Sequence, residues 1–462
     1  MITTVTRRPG PSCTRHPKAR RPGLRVTWPG GEDHVALRQR PPPPAQHQLP
    51  LVAAPWAGRL NHGQCVVHGI RLRRTESGGQ VSIRVDVAPS MVTWARQRSG
   101  RDPKEFEKSF PWLNAWERGD LAPTLKQLEN FAHATYTPVG YFFLREPPEE
   151  ELPVPDFRTM SDTGVSRPSP NLLDTVFLCE QRQEWYRDFA RQSQTEALDF
   201  IGSVSLRTPI VAAAEAMRTR LGFELANRAG YSTWTDAIRG LIEAAEAIGV
   251  LVMVSGIVAS NTHRKLNPKE FRGFALVDSL APLIFVNGAD TKAAQIFTLA
   301  HELAHLWVGQ SAVSKPDLDA ETDNPTERWC NQVAAEFLVP LDALPSRLEG
   351  PTLTDDLDRL AKTYKVSTLV ILRRLYDAGF FKWERFRRAY VDEMERVIDL
   401  AERTGTGGNF YNTQPYRVSR RFARAIIANT LEGETLHRDA FRLLGVKKVS
   451  TFEEFGEHLG IA

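Results

Sequence analysis

The stretch "IFTLAHELAHLWVG", Ile296–Gly309, puts His301, Glu302 and His305 inside an apolar run. Read as a helix, it projects residues i and i+4 from one face about a turn apart. His301 and His305 can then reach a single ion. Zinc takes nitrogen or carboxylate ligands at about 2.0–2.2 Å and, in catalytic sites, keeps one position open for water. Glu302, beside the first histidine, is placed to take a proton from that water and pass it to a leaving amine. The bland alternative is a core helix whose histidines are simply satisfied. Leu299, Ala300, Leu303 and Trp307 weigh against it, because they can pack the helix without the histidines.

Upstream of this stretch, "VLVMVSG" (Val250–Gly256), "GFALVD" (Gly273–Asp278) and "PLIFVNG" (Pro282–Gly288) are short β-rich runs bounded by Gly, Asn and Asp, and they read as strands. Sites of the HExxH kind characteristically lie beneath a sheet edge that takes an extended peptide by strand addition. The preceding region, Asn171 to about Gly249, carries apolar residues at three- and four-residue spacing, the mark of core-facing helices. Helices, a small sheet and the His301 helix make an α+β unit.

A third protein ligand has to come from downstream. Asp317, Asp319, Glu321 and Asp323 sit in "KPDLDAETDN", a polar loop with no fixed geometry. In "NPTERWCNQVAAEFLVP", by contrast, Asn324 can cap a helix, Pro325 takes its first position, and the helix runs to about Leu338 before Pro340. Glu327 lies in the first turn. Glu336 faces the other side at about 100° per residue, so one helix does not easily present both to one metal. Glu327 is the third ligand chosen on these grounds, with Trp329, Val333 and Phe337 left to pack inward. Cys330, i+3 from Glu327, reads as a small core residue.

"TLAHELAHLW" followed by "ERWCNQVAAEFLVP" resembles the ImmA/IrrE family of bacterial metallo-endopeptidases, with Glu327, Asn331, Ala334 and Pro340 matching its pattern in place. "AWERGDLAPTLKQLENFA" and "LPVPDFRT" are similar to the subgroup with an N-terminal helix-turn-helix of phage-repressor (XRE) type. The resemblance covers most of residues 81–380. It implies a zincin-like core, zinc as cofactor, a protein substrate such as a transcriptional repressor or a toxin–antitoxin partner, and a regulatory role. The helix-turn-helix departs from its family: the chain passes from "EFEKSF" to "PWLNAWERG" without a full recognition helix. Such a helix reads bases through several side chains lying in the major groove. Protein docking is therefore the expected role of this segment, and DNA contact the lesser one.

Charge along the chain agrees with that order. Residues 1–80 hold 13 Lys and Arg against 3 Asp and Glu, which leaves 46 basic and 52 acidic residues in 81–462. The net of +10 belongs to the Pro- and Arg-rich first stretch and the body is mildly acidic, without the basic footprint of a nucleic-acid binder. No apolar run approaches the ~20 residues of a membrane span. Four scattered cysteines and no apolar leader fit a reducing cytoplasm.

The expected organisation is a mainly helical multi-domain chain. Its parts are a disordered basic extension (1–80), which a translated upstream region would also explain, and a helix-turn-helix-like domain (81–144). A linker (145–170), the HExxH peptidase domain (171–350), a candidate second helix-turn-helix or packing pair (351–380) and a helical C-terminal region (381–462) follow. Together these readings give a zinc-dependent endopeptidase in which His301, His305 and Glu327 hold the metal and Glu302 is the base. A non-proteolytic regulator or antitoxin-like binding protein with a structural or vestigial metal site is the competing reading.

Overall fold

The computed structural model describes residues 64–67, 70–77, 80–156, 168–228, 230–314, 324–402 and 410–461, with backbone alone for 64–83, 227, 398–402 and 410–413. The fold is α+β, mainly helical with a small mixed sheet. No described helix is long and apolar enough to cross a membrane.

The chain first forms an antiparallel sheet, β1 (Gln64–Val67), β2 (Ile70–Ser77) and β3 (Gln80–Val85). The expected disorder of 1–80 is thus corrected from Gln64 onward, and residues 1–63 lie outside the described residues. Ser77 pairs with Gln80, and in the sequence Gly78 and Gly79 lie between them while Ile70 and Leu72 alternate with arginines. A two-residue Gly-Gly connection between alternating strands is a strong hairpin signal, hidden here by the composition of its neighbours.

Helices α1 (Pro89–Arg98), α2 (Pro103–Ser109), α3 (Leu113–Arg118) and α4 (Leu125–Ala134) close around a core of their own, with Met91, Trp94, Phe106, Trp116, Phe131 and Phe142 buried. After them Arg98 grips Glu150 through Nε and Nη2 at 2.6 and 2.7 Å. Leu152 and Val154 then pack on the main body.

The main body begins with α5 (Pro170–Gln192), α6 (Ile210–Leu221), α7 (Leu225–Arg228) and α8 (Trp234–Ala247). Strands β4 (Leu251–Ser255), β5 (Gly273–Leu276) and β6 (Leu283–Asn287) follow, then α9 (Lys292–Val308), β7 (Ala312–Ser314) and α10 (Pro325–Leu338). The three strands read from sequence are present, and β7 is an addition to them. Strand order is β4-β6-β5-β7, with β4 parallel to β6 and the other pairings antiparallel. The outer edge of β7 meets the chain again, where Val313 N–H donates to Pro155 O at 3.0 Å.

Beyond α10 come α11 (Leu353–Tyr364), α12 (Thr368–Asp377), α13 (Trp383–Glu402), α14 (Phe410–Val418), α15 (Arg420–Leu431), α16 (His437–Leu444) and α17 (Val449–His458). Both faces of the sheet are buried. Val252, Ala275, Ile284 and Val286 face a core built with α8–α13. Leu251, Met253, Phe274, Leu283 and Phe285 point the other way, into a core with α5 and α15–α17. Burial on two faces explains why these strands are near-continuously apolar. It also means that 351–380 and 381–462 share cores with 171–350, so the boundaries drawn at 350 and 380 do not separate folding units.

Candidate metal centre

Helix α9 starts at an N-cap where Thr291 accepts from Ala294 N–H, and ends at Gly309 in the left-handed conformation, φ 76°. Every residue from Gln295 to Trp307 is buried. One side packs on the sheet and the other on α8 and α10. Helix α10 is capped by Asn324, whose side chain accepts from Thr326 and Glu327 N–H, with Pro325 at the first helical position. That cap sets Glu327 in the first turn, facing α9.

His301 Nε2 and His305 Nε2 lie 3.1 Å apart. Glu327 spans them, with Oε2 3.2 Å from His301 Nε2 and Oε1 3.0 Å from His305 Nε2. Bonds of ~2.1 Å at tetrahedral angles put ligand atoms about 3.4 Å from one another, so three donors at these separations fit one zinc-class ion. Among the described residues, His301, His305 and Glu327 are the group able to hold a metal. Glu302 lies beside them, and neither of its carboxyl oxygens has a hydrogen-bond partner among the described residues although the side chain is fully buried. A buried carboxyl without a well-formed hydrogen bond is costly; this one lies against Gly273 of β5 and near the Ser314 hydroxyl.

Electrostatics prepare the ligands. Burial holds His301 below its ordinary value, against the pull of Glu327. Burial alone would raise Glu327, but its pairing with His301 and then His305, whenever one of these imidazoles carries a proton, outweighs burial and holds the carboxyl well below the usual range. Neutral imidazole and ionised carboxylate are the forms that bind metal. Glu302 is the opposite case: burial first, and the Glu327 charge second, push it well above the carboxylate range. Two carboxyls with divergent proton affinities are the pattern of a ligand beside an acid–base group.

The remaining residues fall into place around this centre. Glu336 points away and pairs with Arg374, so it is no ligand here. Cys330 is a buried thiol whose proton is held by burial and by Glu327 and Glu302, in keeping with a small core residue. Asn331 touches His301. The loop carboxylates Asp317, Asp319, Glu321 and Asp323 lie outside the described residues.

Two contributors escape a reading of the sequence. Ser314, on β7, is fully buried and donates to Glu327 Oε1 at 3.3 Å; a three-residue strand offers no periodicity to find it by. Gly273 on β5 lets that strand lie against α9: a Cβ there would stand 2.6 Å from Thr298 Cγ2 and 2.9 Å from Glu302 Oε1. A glycine at the start of a β-rich run is a signal for close approach. Gly273→Ala should lower stability by about 1–3 kcal/mol, the range for overpacking a filled core, and reduce metal content by displacing Glu302 and its helix. Wild-type values of both, from denaturant unfolding and elemental analysis, would sink the close-approach argument.

A helix bearing HExxH beneath a mixed sheet, with a glutamate delivered by the next helix, is consistent with an α+β zincin-like domain. Residues 245–376, which contain all four site residues, match the peptidase M78 family, described as IrrE N-terminal-like domain. Residues 418–458, the α15–α17 layer behind the sheet, match a domain of unknown function (DUF8813). No curated protein and no solved structure matches the chain. The M78 match supports the ImmA/IrrE resemblance over its own stretch, and with it a metallopeptidase-type function.

Proposed function

We propose that the protein is a cytoplasmic, zinc-dependent regulatory endopeptidase that hydrolyses a peptide bond in a specific protein partner, of the repressor or toxin–antitoxin kind. The observation that carries this reading is the buried convergence of His301, His305 and Glu327 beside an unpartnered Glu302. His301, His305 and Glu327 would hold zinc, which would supply Lewis acidity toward water and the scissile carbonyl. Glu302 takes the proton from the attacking water and delivers it to the leaving amine. Its raised proton affinity keeps it able to do both.

The N-terminal helical domain serves as the docking element in this proposal. Its short α3 buries Leu113 and Trp116, while Glu117 pairs with Arg96 and Arg118 with Asp120. Little is left to read bases. Helix α12 is no better placed, since Arg374 is buried against Glu336 and Arg373 pairs with Asp377. These pairings support a packing role for 351–380.

One observation favours the second reading, a non-proteolytic regulator with a structural metal. His301, Glu302 and His305 are all 0% exposed, so a substrate reaches them only after rearrangement. A structural metal is told from a catalytic one by whether wild type cleaves and Glu302→Gln, with the same metal content, does not; a site that holds no metal at all is recognised by elemental analysis of protein purified without added metal. The peptidase reading expects about one zinc per chain, as a single three-ligand site holds, falling sharply in Glu327→Ala. Metal-free wild type would overturn it.

A further inference from the structure

Resting on the metal-site reading above, we infer that Ser314 is a positioning residue for Glu327. Strand β7 runs antiparallel to β5, with Gly273 opposite Ser314 and Arg272 N–H donating to Ser314 O at 3.2 Å. This pairing fixes where the Ser314 side chain emerges. Alternation along the strand sends Val313 into the core shared with α5 and α15–α17, which turns Ser314 toward α9 and α10.

There the hydroxyl donates to Glu327 Oε1 at 3.3 Å, stands 3.5 Å from His305 Nε2 and lies near Glu302 as well. It is fully buried. Glu327 is the ligand that most needs such help. The histidines are fixed by one continuous helix, whereas a glutamate has three rotatable side-chain bonds and a carboxylate free to spin. A donor on Oε1 restricts that spin to the orientation in which the two oxygens face the two imidazoles. Outer partners of this kind orient ligating groups, and their loss typically costs 10–100-fold in metal affinity. Among the described residues, Ser314 is the only hydroxyl hydrogen-bonded to the ligand set.

The test uses the full chain stripped of metal. Zinc affinity is measured by competition with a chromophoric chelator, and cobalt(II), whose visible absorption reports coordination geometry, gives a spectrum. Ser314→Ala should bind zinc about 10–100-fold more weakly with an altered cobalt spectrum. Ser314→Thr should keep most of the affinity and Ser314→Val should not, because these two side chains match in shape and differ in the hydroxyl. Val313→Ala, on the other face of the strand, should lower the melting temperature and leave the affinity alone. Equal affinities for the Thr and Val variants would overturn the inference even if the Ala variant failed to fold, and so would an equal loss in Val313→Ala. Metal binding absent from wild type would instead overturn the metal-site reading itself, and Ser314 with it.

Discussion

Glu302→Gln should retain its metal and lose peptide-bond hydrolysis by about 10²–10⁴-fold, the usual contribution of a positioned acid–base group. Gln matches Glu in shape and removes only the proton chemistry. His301, His305 and Glu327 stay as they are, so metal content should not move. A library of cellular peptides, incubated with wild type and variant and then labelled at new amino termini, reads the loss whichever protein the partner is. Equal cutting of the same bonds by both proteins would sink the assignment.

The same variant carries a pH signature. In metal-free wild type, the folded chain holds the Glu302 proton more tightly than the unfolded chain, where a glutamate titrates near about 4.3. Above that value the unfolded state binds fewer protons than the folded one, so this residue's contribution to stability falls as pH rises. Gln does not titrate, and the melting-temperature advantage of Glu302→Gln should widen from about pH 4.3 upward. Glu327, held low, acts in the other direction and at more acid pH: its contribution is present above the unfolded value and disappears as pH falls. A constant difference between the two proteins across the range would contradict the burial of an orphaned Glu302.

Arg374→Met should destabilise the protein by about 3–5 kcal/mol, the cost of leaving half of a buried ion pair alone. The C-terminal carbonyls of α10 lack partners within the helix, and three arginines supply them. Arg218 donates to Glu336 O at 2.8 Å, Arg228 to Leu338 O at 2.6 Å and Arg374 to Val339 O at 2.8 Å, with Arg374 also paired to the Glu336 carboxylate. Cations at a helix C-terminus also complement its dipole. The clamp holds the far end of the helix whose first turn presents Glu327. Denaturant unfolding would show the loss, and adding Glu336→Leu should recover much of it, because the stranded carboxylate is then gone. A single variant within about 1 kcal/mol of wild type, a difference typical of surface changes, would remove the clamp from the account.

Residues whose chemistry is local are readable in the sequence. His301 and His305 are fixed by helical spacing, and α10 is delimited at both ends because Asn324, Pro325 and Pro340 are punctuation with a mechanism. Glu327 and Glu336 are told apart by angle alone. What the sequence hides is relational. The amphipathic stripes of α15–α17 announce burial without saying that their partner is a sheet some 150 residues earlier. The Arg218, Arg228 and Arg374 caps reach across 118, 110 and 35 residues respectively, and nothing near any of them marks its acceptor. Ser314 belongs to a strand too short for a period, and β1 and β2 sit in a segment whose overall composition argues for disorder.

The double covering of the sheet has a consequence for how the chain is made. Strands β4–β6 leave the ribosome by Asn287 with α5 already made, but the other helices that cover Leu251, Met253, Phe274, Leu283 and Phe285, α15–α17, start only at Arg420. At ~5–20 residues per second, that interval lasts roughly 10 s, during which the apolar sheet face has only α5 of its covering helices. Nascent chains of this protein therefore pass through a state that invites chaperones and proteases. The last forty residues act as the release from it: a chain that stops short of them carries the whole HExxH helix and α10, yet keeps the surface by which a cell recognises an unfinished protein.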